Sequence, residues 1–231
     1  MKIFKAIGYF FGGLMNNIRQ FIMSELGKFR VSKDFPFIKK NGDPYEITGW
    51  MIRRAEKEQL QPGDILLRRY EGAILSWFIP GRYSHSAIYA GDGIVIHALG
   101  DGVQMQDLSD FLRCDGYAIL RCNKENWQEQ AKEAIEIAKS YIGYSYDYKL
   151  NICEDYKNRE EVMKRTKSVY CHELTRSCYP NLNIEPILPE IWNGMIRSSK
   201  KQFLAQSFLE SDDLRVVYDS FYSELRKAHE R

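Results

Sequence analysis

Two segments far apart in the chain hold a thiol and an imidazole where each could react. They are Arg82-Tyr83-Ser84-His85-Ser86-Ala87-Ile88-Tyr89 and Tyr170-Cys171-His172-Glu173-Leu174. The first reads as a strand carrying a histidine, the second as a helix start carrying a cysteine. At a helix N-terminus backbone N–H groups are unpaired and the dipole favours an anion. Beside an imidazole, a thiol in such a place can have its pKa lowered to roughly 3.5–7.5, which makes it a nucleophile. The same N–H groups can stabilise an oxyanion. Cys171 is thus the candidate nucleophile, with Ser168 as a helix cap, and His85 the candidate base. Cys178, seven residues on and on the same helix face, is assigned the commoner fate of a buried structural thiol.

His97 lies on the next strand, and register decides whether it can help. With Gly91-Asp92-Gly93 as a three-residue loop and Gly93 left-handed, Ala90 faces Ile94. His97 then faces Ala87 and shares a side with His85, as diagonal neighbours roughly 7–8 Å apart. A two-residue loop would put the histidines on opposite faces. The three-residue loop is expected, so that His97 orients His85. His172 follows Cys171 directly, about a quarter turn away, and reads as a neighbour rather than the base. His229 lies near the terminus and is left out of the site. Tyr83, Tyr170 and Asp64 are supporting candidates. Four histidines without compact ligand spacing speak against a metal site, and no cofactor is expected.

The elements that position these groups follow from pattern. Pro62-Gly63-Asp64 turns into the buried strand Ile65-Leu66-Leu67. Strands are expected at Ser84–Ala90, Ile94–Leu99, Tyr117–Cys122 and Leu214–Tyr218, and a short element over Met105–Leu112. A short helix is expected from Asp43-Pro44 to about Lys57, and another over Gly72–Ile79. Asn126-Trp127-Gln128-Glu129 resembles a capping box, opening a helix to about Ile142 that Gly143 ends. A helix runs from about Tyr170 to Tyr179, stopped by Pro180, and Phe221–Leu225 suits a terminal helix. Residues 151–168 are dense in charge and read as a solvated helix or hairpin, or as a lid.

Of the 231 residues, 44% are apolar and 28% charged, which suits a folded domain and argues against disorder. A net charge of +2, with no basic stripe interleaved with aromatics, disfavours nucleic acid. The five cysteines are odd in number and form no CxxC pair, which speaks against a zinc ribbon or a disulfide scaffold and for reduced thiols in a cytoplasmic setting. Residues 1–58 read as an N-terminal amphipathic helical extension before a domain at 59–231. In residues 1–30 the apolar run is too short to span a bilayer and lacks a cleavage site. Ile3, Ile7, Phe10, Leu14, Ile18, Phe21 and Phe29 fall near helical spacing, among five bases and one acid. That piece either packs on the domain or lies on a membrane surface.

Tyr83-Ser84-His85-Ser86, Val95-Ile96-His97-Ala98, Tyr146-Asp147-Tyr148 and Tyr170-Cys171-His172-Glu173 together resemble the NlpC-type papain-like cysteine hydrolases. Histidine before cysteine reverses the order of papain. The circularly permuted branch, with YiiX- and YebB-like proteins and lecithin:retinol acyltransferase, fits best over about residues 60–180. Pro62-Gly63-Asp64-Ile65-Leu66 is similar to its opening strand. The resemblance implies an α+β fold, a six-stranded antiparallel sheet or barrel-like core with the cysteine helix packed on it. It matches Cys171 to the nucleophile, His85 to the base and His97 to a third polar position. YiiX-like proteins usually have Glu there, and histidine is similar to the acyltransferase side. Ser145 departs from a proline common before the Tyr-Asp pair.

The expected activity is a thiol hydrolase cleaving an amide, of cell-wall peptide or lipid-linked type, through an acyl-enzyme. A lipid acyltransferase or esterase would share that intermediate. A non-catalytic binding module is the third alternative, and the intact Cys171/His85 pair argues against it. The expected partner is a peptide or lipid-like acyl substrate.

Overall fold

The computed structural model describes residues 60–70, 79–148, 159–188 and 201–220, with positions 21, 22, 25, 29–31, 38–40, 49, 53, 76, 190, 191, 196 and 197 between them. Of the helices expected at 43–57 and 72–79 only positions 49, 53, 76 and 79 are described, the first three of them helical; the helix expected at 221–225, most of residues 1–30 and the first part of the 151–168 stretch lie outside the described residues. Phe29, read from the sequence as part of a helical face, instead begins β1 (Phe29–Val31), which pairs antiparallel with β2 (Ile38–Lys40).

The centre is one antiparallel sheet of β3 (Ile65–Arg69), β4 (His85–Gly91), β5 (Ile94–Leu99), β6 (Gly102–Asp107), β7 (Gly116–Cys122) and β12 (Leu214–Asp219). Its order is β12-β7-β3-β4-β5-β6. Among the described residues β12 and β6 lie at its edges. Strands β3 and β7 are apolar runs without alternation because both sheet faces are covered. One face, with Ile65, Leu67, Ile88 and Ile96, packs against α2 (Trp127–Ser140) and α4 (Cys171–Ser177) through Ala134, Ala138, Leu174 and Cys178. The other, with Leu66, Ala87 and Val95, packs against α1 (Leu108–Phe111). The element expected over Met105–Leu112 is therefore the end of β6 running into α1.

Asn126 precedes α2, but its side chain makes no capping bond, so the capping box does not form. The turn before β3 locks helix to sheet. Gly63 has φ +90, and a Cβ on it would come within 2.3 Å of the Ala131 Cβ, so only glycine lets α2 approach. Its carbonyl accepts the Tyr179 hydroxyl from just beyond α4.

Between α2 and α4 the chain forms β8 (Ser145–Tyr146), α3 (Arg159–Thr166) and β9 (Ser168–Val169), and β8 pairs parallel with β9. Downstream lie β10 (Glu190–Ile191), β11 (Ile196–Arg197) and α5 (Ala205–Leu209).

The β4–β5 turn differs from the expected loop. It is a two-residue turn in which Asp92 (φ 51) and Gly93 (φ 72) are both left-handed. By itself that turn would reverse the faces. A bulge between Tyr89 and Gly91 restores them, giving Gly91↔Ile94 but Tyr89↔Val95 and Ile88↔Ile96. One extra residue on β4 changes the parity of the pairing, and His97 returns to the side of His85.

Candidate active site

The bulge makes the two histidines meet. His85 Nε2 lies 2.9 Å from His97 Nδ1. Their rings meet edge to face at 5.2 Å, each also against Phe111. The pair lies on the sheet face that α1 covers. Because Nε2 of His85 is engaged by His97, Nδ1 is its remaining nitrogen. Burial pushes both imidazoles toward the neutral form, and the Arg68 guanidinium adds to it.

Cys171 is the first residue of α4. Tyr170 precedes it as an extended N-cap with φ −98 and ψ 166 and no side-chain capping bond. The expected cap, Ser168, instead lies in β9. Strand β4 pairs with β3 over His85–Ile88 and with β5 only over Ile88–Gly91. The backbone N–H of Ser86 turns to the Cys171 sulfur, as do the N–H groups at the start of α4 and the Tyr146 hydroxyl. These donors favour a thiolate. Burial nevertheless prevails and pushes the thiol up to about 11. The lowered pKa expected from the helix start is therefore not found, because the sulfur is only 3% exposed and removing a thiolate from water outweighs four nearby donors.

The strand and the helix are pinned by a polar chain. Ser86 Oγ lies 2.8 Å from Thr175 Oγ1 and 2.9 Å from His172 Nδ1. Thr175 Oγ1 donates to the Cys171 carbonyl at 3.1 Å. His172 is thereby held as a neighbour against β4, as its position in sequence suggested.

A second tie reaches in from α3. Arg159 holds Glu173 with two bonds, 2.6 Å from Nε and 2.9 Å from Nη2, and Nη2 also donates to Asp147 Oδ2 at 2.8 Å. All three are buried. Glu173 is two residues after Cys171, and Asp147 follows Tyr146. The bonds to both carboxylates hold Arg159 charged, whereas burial pushes the Glu173 carboxyl up to about 7. The charge-dense stretch that the sequence left as a solvated element or a lid thus sends one arginine into the core. Beside this tie a cavity of about 640 Å³ opens between the end of α2, α3 and α4, lined by Tyr141, Tyr144, Met163 and Phe203 among others.

The supporting candidates are placed as follows. Tyr170 OH donates to the Phe203 carbonyl at 2.8 Å, which fixes the start of α4. Tyr83 OH donates to Asp219 Oδ1 at 2.6 Å and ties the entry of β4 to β12. Asp64 is at the other end of β3 from His85, taken by Arg121 through two bonds of 2.7 Å. It is a buried structural ion pair and is not brought to Cys171. Cys178 is buried, and burial raises its thiol as it does that of Cys114, to about 12. Cys153 and His229 lie outside the described residues. Sequence reasoning missed Ser86, Thr175, Arg159 and Arg68. For Arg68 the available signal was a base directly following the apolar run Ile65-Leu66-Leu67. Tyr146 was visible only as part of a motif.

A family model described as "Permuted papain-like amidase enzyme, YaeF/YiiX, C92 family" matches residues 59–218. Among solved structures, the chain is similar to metalloprotein yiiX from Escherichia coli O157:H7. That match has a TM-score of 0.53 and 17% identity, covering 70% of this chain and 98% of the other. It shows the fold. No curated protein matches. The word metalloprotein belongs to that neighbour. Here His85 and His97 spend a nitrogen each on one another, and among the described residues no group of three or more His, Cys, Asp or Glu is placed to hold a metal ion.

Proposed function

The chain belongs to the permuted papain-like amidase family and is a cysteine hydrolase, and from that premise we propose that it cleaves an amide of a peptide or lipid-linked substrate through a Cys171 acyl-enzyme. The observation that carries the assignment is Cys171 at the first position of α4, tied through Thr175 to Ser86, the residue next to His85. In this reading His85 Nδ1 takes the thiol proton as the sulfur attacks the carbonyl carbon. No standing ion pair is required, because proton and nucleophile move together. The N–H groups at the start of α4 and the Tyr146 hydroxyl can donate to the oxyanion of the tetrahedral intermediate. The imidazolium returns its proton to the leaving amine. Water, deprotonated by the same nitrogen, then releases the acid. His97 engages His85 Nε2, which leaves Nδ1 as the nitrogen that would take the proton in this reading.

One observation favours a second reading. His97, bonded to His85, is the histidine that resembles the acyltransferase side of the branch. Acyl transfer would use the same acyl-enzyme with an alcohol, amine or lysolipid as acceptor. The test is intact-mass analysis of the full chain after exposure to an activated ester, with and without acceptors. An adduct that maps to Cys171, is absent from Cys171→Ala and decays to free acid at a rate unchanged by acceptors supports the hydrolase. An adduct that persists until an acceptor is added overturns it for the transferase. Acylation that survives in Cys171→Ala removes the nucleophile.

A further inference from the structure

Arg68 is 3% exposed, in a strand whose other inward residues are Ile65, Leu66 and Leu67. A buried guanidinium is costly without an acid to pair with, and among the described residues none is bonded to it. It is held instead by one hydrogen bond from Nη1 to the Phe111 carbonyl, 2.8 Å, and by two rings. Its Cζ stands 4.2 Å from the Phe111 ring centroid and 4.9 Å from that of Tyr70. Its Nε is buried with no partner. Arg68 is the register partner of His85 across β3 and β4, and Phe111 carries the rings of His85 and His97 on the same side.

We propose that Arg68 is a positioning residue for the reaction: its buried guanidinium, register partner of His85 and without a bonded acid among the described residues, adds to burial in disfavouring a cation on the His85–His97 pair and makes the His85 imidazolium a stronger acid toward the leaving group. The proposal rests on the reading of His85 as the base. Acting through another residue, Arg68 need touch neither substrate nor sulfur. A neutral His85 can accept the Cys171 proton, whereas a protonated one cannot. Once it has that proton, the nearby cation favours handing it on to the leaving amine, the demanding step in amide cleavage. Electrons balance because the guanidinium exchanges nothing; only the proton moves, from sulfur to Nδ1 to the amine. The other ionisable groups facing His85 are His97 from β5 and His172 from α4. Cys114, in the turn before β7, faces Arg68, with Asp115 beside it. The Asp115 carboxylate opposes the effect, and Arg68 must outweigh it. An inward acid in place of Arg68 would hold imidazolium instead. This strand thus spends stability on a cation where Leu would pack.

The test has two independent arms. In the first, the wild-type full chain is labelled at histidine nitrogens and titrated by NMR, with His85 assigned by its absence in His85→Gln. His85 neutral through pH 6 and below is expected, and imidazolium at pH 6 overturns the proposal. In the second, kcat/KM for p-nitrophenyl acetate is followed against pH in Arg68→Met and Arg68→Lys. The acid limb should move up by roughly one pH unit or more in Arg68→Met and stay near wild type in Arg68→Lys. A limb unmoved in folded Arg68→Met, with only stability changed, makes Arg68 structural and overturns the proposal. If Arg68→Met does not fold, the wild-type titration and Arg68→Lys decide. The titration also separates this idea from the assignment of the base: His85 can prove neutral while His85→Gln retains esterase activity, which sinks the base but not the influence of Arg68.

Discussion

Cys171 carries opposing influences on one sulfur, and their balance sets how the protein should react with alkylating agents. Three backbone N–H groups and the Tyr146 hydroxyl lower its pKa, but burial raises it to about 11. A thiolate–imidazolium pair would give alkylation a plateau near neutrality. Here the thiolate fraction should rise with pH up to that value, so the rate of Cys171 alkylation by iodoacetamide should climb by about tenfold per pH unit from pH 6 to 10. Cys171 should still label before Cys114, held higher at about 12, and Cys178. Mass spectrometry of single-site adducts against pH checks this, and a neutral plateau would show a standing ion pair. Cys171 and His85 could be proposed as a pair from residue type and local element. The protonation state of the thiol could not, because it depends on how much protein covers the sulfur.

At the scale of elements, the site is assembled by ties that cross strand and helix. Ser86 and Thr175 join β4 to α4, and Arg159 joins α3 to both the β8 end and α4. Replacing Arg159 with Met leaves Glu173 and Asp147 as two buried acids facing each other. Loss of one partner from a buried ion pair costs about 3–5 kcal/mol, and a fall of that order is expected in urea unfolding of Arg159→Met. The double variant Arg159→Met/Glu173→Gln should recover part of it, since it removes one of the two buried acids. Equal stability of wild type and Arg159→Met would mean that the tie adds nothing. Arg159 lies in a stretch that reads as solvated by composition. Only its approach to Glu173, distant in sequence, made it core.

Across the whole molecule, buried histidines set the response to acid. His97 and His172 both have pKa values pulled by burial down to about 3, whereas an unfolded chain titrates them near 6.5. Between those values the unfolded state binds protons that the folded state does not. Stability is therefore complete above about pH 6.5 and is lost as pH falls toward 3, by about 1.4 kcal/mol per pH unit for each such histidine. Chemical unfolding at pH 7, 6, 5 and 4 should show a fall, partly offset by the raised Glu173 carboxyl, and His172→Gln should lessen it by about one histidine's worth. A stability unchanged from pH 7 to 5 would contradict the burial. Among the described residues no helix is long and apolar enough to cross a membrane. We propose a surface association through residues 1–30 instead: the full chain should sediment with anionic vesicles and lose this on deletion of those residues, whereas sedimentation that survives deletion places the contact elsewhere.

The sequence by itself determined the strands Ile94–Leu99 and Tyr117–Cys122 closely and the helix at Cys171, because period and turn residues are local properties. Its order of His85 before Cys171 also determined the permuted fold that the family match bears out. The facing of His97 needed the tertiary structure for its cause: a bulge between Tyr89 and Gly91 corrects a turn one residue shorter than expected, and a one-residue change reverses every side chain after it. The use of Asp64 as a structural ion pair and the inward turns of Arg159 and Arg68 were decided only there too. Partners such as Arg121 and Glu173 lie 57 and 14 residues away in the chain, and no local pattern states which charges will share a buried space.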